Sequence, residues 1–187
     1  NLYYANQYNN EDQNIGFLSY RELLETVKVP DGKEVNSKIF SAWLAGQNRT
    51  KLFSDANKLY EEFKGVITGS IINQRYLLRD EYTNLGIKQS IFRLEERPLV
   101  YDLFEKYVKF LTTEKLYDSN IISFEHLNLC QPRYDFIIVD EIQDFTNIQL
   151  CFILKALKNK NQFILSGDSN QIVHPNFFSW SKVKTMF

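Results

Sequence analysis

Asp140, Glu141 and Asp144 follow directly on the apolar run Phe136-Ile137-Ile138-Val139, within the stretch YDFIIVDEIQDF at 134–145. Acids crowded at the end of a greasy segment repel one another unless a cation sits among them. A further acid, Asp168, follows a second apolar run, QFILS, in the stretch GDSNQ at 167–171. If both runs are strands of a parallel sheet, their carboxyl ends share one edge, and open α/β sheets bind ligands in the crevice there. Mg2+ suits such an edge, because it takes one or two carboxylates while phosphates and water fill its other positions. The acids are therefore placed to hold a metal and activate a water.

The elements that must position them are legible in outline. FIIVD is a continuous apolar run, the mark of a strand buried on both faces of a parallel sheet. NIQLCFILKALKN follows as a nearly all-apolar helix, and QFILS as a second buried strand ending at Gly167. Strand, helix and strand at this length predict a βαβ unit with parallel strands and a right-handed crossover.

Upstream the texture is helical, and no strand is expected before about residue 130. Residues 1–16 read as a linker rich in Asn, Gln and Tyr. FLSYRELLETV carries Leu18, Leu23, Leu24 and Val27 at helical spacing, with Ser19 as its cap. NSKIFSAWLAGQN places Ile39, Phe40, Trp43 and Leu44 on one face, capped by Asn36 or Ser37. DANKLYEEFKGVI aligns Ala56, Leu59, Tyr60, Phe63 and Ile67, and INQRYLLRDEYTNLG predicts a fourth helix closed by Gly86. In RPLVYDLFEKYVKFLTT, Pro98 suits the first turn. Leu99, Leu103, Tyr107 and Phe110, with Val100, Phe104, Val108 and Leu111, make a broad apolar face. SNIISFEHLNLC is the sixth.

Composition removes several function classes. Of the 187 residues 44% are hydrophobic and 24% charged, a globular balance, and the net charge of −1 gives no global field toward nucleic acid or anionic lipid. Cys130 and Cys151 are too few for a disulfide scaffold, which points to buried thiols in a reducing, cytoplasmic setting. No run approaches the ~20 apolar residues of a membrane helix, so no membrane partner is expected. His126 and His174 lack Cys or His partners at metal spacing, which argues against zinc. Arg75, Arg79, Arg93 and Arg97 alternate with Asp80, Glu81, Glu95 and Glu96, the pattern of a solvated helix surface rather than a nucleic-acid path.

DEIQD followed by GDSNQ resembles the second and third motifs of UvrD/Rep-like superfamily 1 helicases. Seven specified positions at about 1 in 20 each put a chance match on the order of one in a billion. Less specifically, FLSYRELL, EEFKGVITGSI, ERPLVYDLFEKY and GDSNQIVHPNFFSWSKVKTMF are similar to the helical insertion and flanks of these enzymes. The resemblance implies a partial RecA-like (P-loop NTPase) α/β core at 131–187, preceded by a mostly helical insertion and linker at 1–130. It further implies ATP and Mg2+ as cofactors and an ATP-hydrolysing helicase or translocase. The implied track is single-stranded or partly duplex nucleic acid, DNA by preference, with 3′→5′ polarity.

Residue by residue, the resemblance makes Asp140 the Mg2+ ligand and Glu141 the general base or water-positioning acid. Gln143 and Asp144 would couple the nucleotide site to the neighbouring motif, and Asp168 and Gln171 would sense the γ-phosphate. His174 stands where the family usually has Tyr, so Phe177, Phe178 and Trp180 are the candidates for base stacking, with core packing as their equal alternative.

An ATP motor also needs the phosphate-cradling GxxxxGK[ST] loop, and these 187 residues contain none. PDGKEV has Gly32-Lys33 but then Glu34, and TGSII has no Lys. The ends carry neither a starting Met nor a helix stop. The expectation is thus a fragment, inactive alone, whose remaining motor domains supply the loop. The alternative is a degenerate helicase-like scaffold that binds protein or nucleic acid without ATP turnover.

Overall fold

A computed structural model describes residues 15–47 and 51–168 of the chain. The expected linker falls almost wholly outside the described residues. Helix α1 (Tyr20–Val27) begins where Ser19 and Glu22 exchange hydrogen bonds: the Ser19 hydroxyl accepts the Glu22 N–H, and the Glu22 carboxylate accepts the Ser19 N–H at 2.6 Å. This capping box satisfies amides that the first turn cannot. Helix α2 (Ser37–Ala45) is capped by Asn36, whose Oδ1 accepts the Ile39 N–H at 3.0 Å. Helix α3 (Ala56–Glu61), capped by Asp55, runs without a break into a π-helix over Glu62–Thr68. The helical spacing through FKGVI predicts continued helix, and the structure makes it the wider i→i+5 form. Helices α4 (Arg79–Thr83), α5 (Arg97–Thr113), α6 (Ser119–His126) and α7 (Asn147–Lys155) complete the set.

Two short parallel ladders join these helices. β1 (Lys33–Glu34) pairs with β2 (Leu116–Tyr117), which corrects the expectation that no strand precedes residue 130. Two residues on each side are too few to leave a periodic signal in the sequence. β3 (Ile137–Val139) pairs with β4 (Phe163–Leu165) in the register Ile137↔Phe163 and Val139↔Leu165, with α7 as the connection. That is the parallel arrangement the apolar runs predict.

The burial of this sheet differs from expectation. Val139 is 5% exposed, yet Phe136, Ile138 and Ile164 are exposed by 51, 67 and 52%. One face packs on α7 and α1, and among the described residues the other is bare. The predicted helix over 72–86 also shrinks to α4. Upstream of it, the Leu77 N–H donates to Ile67 O and the Leu77 carbonyl accepts from Tyr101 Oη, so these groups serve tertiary partners rather than a helical ladder.

The core divides in two. One part gathers Leu59 with Phe40, Phe63, Phe104 and Tyr107, whose rings meet edge-on or tilted at 5.2–6.2 Å. Such pairs contribute about 0.5–1.5 kcal/mol each beyond their burial. In α5 the apolar face is as predicted except for Leu99, which is 52% exposed. The other part joins Leu23 and Leu24 of α1 to Cys130, Val139 and Phe152. Ile142, Leu150, Leu154 and Leu157 form a small cluster beside it.

Arg97, expected on a solvated surface, is 2% exposed. Its guanidinium donates to the carbonyls of Phe92, Thr83, Leu85 and Gly86, gathering that loop around it. Arg75 pairs with Glu125, and Arg79 with Asp102 and Glu105. Both cysteines are free, Cys130 buried and Cys151 half-buried. Burial pushes both thiols up. Among the described residues no helix is long and apolar enough to cross a membrane.

Candidate functional site

The parallel register sets the last residues of β3 and β4, Val139 and Leu165, side by side. The chain leaving β3 therefore emerges beside the chain leaving β4, as the apolar runs predict. Backbone bonds tie the two exits: the Ser166 N–H donates to Val139 O at 2.8 Å, and the Ile142 N–H donates to Ser166 O at 2.9 Å. Asp140, Glu141, Asp144 and Asp168 all stand exposed along this edge.

Glu141 has φ +52° and ψ +46°, the left-handed region, which costs a non-glycine residue about 1–2 kcal/mol. The turn that follows it, a 3-10 helix over Ile142–Asp144, repays this through Ile142. That side chain is 1% exposed and packs among Leu150, Leu154 and Leu157 beneath the turn. Within DEIQD, then, Ile142 anchors and the acids on either side of it face water.

Gln143 is the polar link. It is 9% exposed, its Nε2 donates to Glu141 Oε2 at 2.5 Å, and its Oε1 accepts the backbone N–H of Asp168 at 3.2 Å. One buried amide thus joins the two acidic stretches across the edge. Gly167 permits the approach, since a Cβ there would lie 2.5 Å from Ile142 Cγ2 and 2.6 Å from Gln143 Oε1. Neither Ile142 nor Gly167 stood out as a site residue in the sequence, though a Gly beside an acid after an apolar run is the available signal.

The far end of the acidic turn is fixed to the helical part. Thr146 Oγ1 donates to Asn120 Oδ1 at 2.7 Å, and Asn120 Nδ2 donates to Lys64 O and Thr68 Oγ1 at 2.8 and 3.0 Å. Asn120 is fully buried, with both ends of its amide paired. Next to it, Asn147 Nδ2 donates to Ser70 O at 2.9 Å. Thr146 and Gln149 form a capping box on α7, a T-x-x-Q pattern that the sequence does carry. Nothing in the sequence marks Asn120 as its partner.

No three His, Cys, Asp or Glu side chains gather into a metal cage among the described residues. A cation at this edge would hold one or two carboxylates and complete its shell from phosphate and water, which is the habit of Mg2+ rather than of zinc. The exposed Asp140 fits that requirement. Gln171, His174, Phe177, Phe178 and Trp180 lie outside the described residues.

Comparison with known proteins places this geometry in context. A family model described as the UvrD/REP helicase N-terminal domain matches residues 6–180. A human protein, TPR and ankyrin repeat-containing protein 1, is 24% identical over 140 residues, covering 69% of this chain. The chain spans 5% of that relative's length.

Proposed function

This chain belongs to the UvrD/REP helicase N-terminal domain family, and from that membership we propose that it is part of an ATP-dependent helicase or translocase. The observation that carries the reading is Gln143, which bonds Glu141 on one side and the Asp168 backbone on the other at the carboxyl edge of a parallel sheet. A scaffold has no use for such a link between exposed acids. A phosphate-handling site does, because it must hold its water-activating acid still and register events at the neighbouring loop.

In this reading Asp140 holds the Mg2+ that accompanies ATP, and the ion supplies neutralising charge to the phosphates. Glu141, fixed by its left-handed backbone and by Gln143, orients the attacking water and takes its proton. Asp144 and Gln143 pass changes in the nucleotide to the neighbouring loop, where Asp168 and Gln171 respond to the γ-phosphate. Phe177, Phe178 and Trp180, with His174, are the proposed candidates for contact with single-stranded nucleic acid, DNA by preference.

The proposed architecture is a RecA-like core from 131 onward, preceded by a helical insertion over 1–130. The bare apolar face of Phe136, Ile138 and Ile164 supports a core whose remaining layers, the phosphate-cradling loop among them, come from other parts of the parent protein. The setting proposed is cytoplasmic. The isolated chain is expected to turn over no ATP.

The test is Mg2+-dependent ATP hydrolysis by the parent protein, stimulated by single-stranded DNA, in wild type and in Glu141→Gln. The expected result is a loss of about 10²–10⁴-fold in turnover with nucleotide binding retained. A parent protein that binds nucleotide but never hydrolyses it, with or without the substitution, would make the acids inherited rather than used, and a binding scaffold would replace the motor.

A further inference from the structure

Away from the acidic edge, the described residues form an open pocket of about 430 Å3 between α1, β1 and the π-helix, lined by Arg21, Lys33, Glu34, Asn36, Tyr60 and Lys64 among others. That size lies within the range of small-ligand sites. Three of these side chains are cationic and one is anionic, a local excess of positive charge on a chain whose net charge is −1. Two of the remaining liners have hydrogen bonds of their own. Asn36 Oδ1 accepts the Ile39 N–H, and Tyr60 Oη donates to Val35 O at 3.2 Å. Arg21 pairs with Glu25 through Nε at 2.8 Å.

The lysines differ. Among the described residues neither Lys64 nor Lys33 forms an ion pair with a carboxylate. Lys64 is half-buried in the cavity wall. Burial pulls its ammonium down, but Asp118, Tyr60 and Glu34 more than offset that and leave it above the ordinary lysine range. Asp118 attracts without pairing, because its oxygens accept from Tyr107 Oη and from the Asn120 and Ile121 N–H groups. The Lys64 side-chain contacts are with neutral Tyr60, by a hydrogen bond and over the ring at 5.5 Å, so this charged, partly desolvated ammonium has no contacting anion and calls for one.

We propose that this cavity binds a phosphate group, held by charge-assisted hydrogen bonds from Lys64 and Lys33 with Arg21 at the rim. Phosphate suits it better than carboxylate, since three cationic residues from different elements line it and phosphate offers more oxygens to share among them. Glu34 on the same wall limits the net excess and favours a singly charged group over a polyphosphate. The inference stands independently of the role assigned to the acidic edge.

The experiment titrates the chain with inorganic phosphate while backbone amide resonances of Lys33–Asn36 and Lys64 are followed, in wild type, Lys64→Met and Lys33→Ser. Saturable shifts at the lining residues are expected, with affinity weakened at least about tenfold in either variant. Absence of saturable shifts, or equal affinity in wild type and variants, would overturn the proposal. Should Lys64→Met fail to fold, the exposed Lys33→Ser decides alone. A short single-stranded oligonucleotide is then added. Displacement of phosphate by it identifies a nucleic-acid backbone as the source, and undisturbed phosphate identifies a free phosphate-bearing ligand.

Discussion

The side-chain carbonyl of Gln143 accepts the backbone N–H of Asp168 at 3.2 Å while its amide reaches Glu141, so a single buried side chain spans the exits of both parallel strands. It adds a side-chain tie to the backbone bonds that already join the two exits. The relationship makes the edge behave as one unit, and it can be broken without touching any acid.

Gln143→Leu keeps the volume and removes both bonds. It is expected to cost about 1 kcal/mol of stability and to speed hydrogen exchange at the Asp168 amide. In the parent protein, ATP turnover should fall about tenfold, the equivalent of ~1.4 kcal/mol in the barrier. Exchange at Asp168 that is unchanged from wild type would show that the bond does not order the loop.

Gly167→Ala forces a methyl group to within 2.5 Å of Ile142 Cγ2. Overpacking of this kind costs about 1–3 kcal/mol, and here it also pushes on Gln143. A lowered denaturant midpoint is the expected reading. A midpoint equal to wild type would mean that the strand exits shift freely and that their close approach is incidental.

Asn120→Leu removes its bonds to Thr146 Oγ1, Lys64 O and Thr68 Oγ1 in a fully buried place, leaving Thr68 Oγ1 only its bond to Phe63 O. Unsatisfied buried groups cost about 1–3 kcal/mol each, so a loss of at least about 2 kcal/mol is expected. Hydrogen exchange should rise at Thr146–Gln149 more than in β3. Uniform loosening of the whole chain would instead reduce Asn120 to an ordinary core residue.

Glu62 is fully buried at the start of the π-helix, and desolvation raises its pKa above the ordinary 4.5 despite bonds from Ser90, Ile91 and Tyr82 and the nearby Arg97 charge. The folded state therefore favours the protonated acid more than the unfolded chain does. Its contribution to stability is complete below the unfolded pKa and is lost as pH rises through the folded one. Wild type should weaken relative to Glu62→Gln as pH climbs from about 4.5 toward neutrality, as measured by denaturant midpoints across that span. Parallel profiles for the two proteins would show that Glu62 titrates as in the unfolded chain.

Much of this was readable in advance, and the failures share a cause. Ser19, Asn36 and Pro98 mark helix starts through local chemistry, and the structure uses them as caps and first turn. The two apolar runs also announced the parallel pair. What the sequence hid is settled by distant partners. The segment before α4 has helical texture, but Ile67 and Tyr101 claim Leu77. Arg97 looks like surface charge until the carbonyls of its loop close over it. At the site, the acids were visible because DEIQD and GDSNQ are each contiguous in sequence, whereas Asn120 became meaningful only when folding brought it against Thr146.

Tyr20 of α1 hydrogen-bonds Ser123 across 103 residues and sets its ring against Phe145 and Phe152. During synthesis, α1 leaves the ribosome long before its seat exists. It must stay uncommitted, its apolar side chains open to chaperones, while the whole helical region is made, and closing so long a loop is slow. The order of birth therefore runs against the order of packing: the earliest described helix is among the last pieces locked in place.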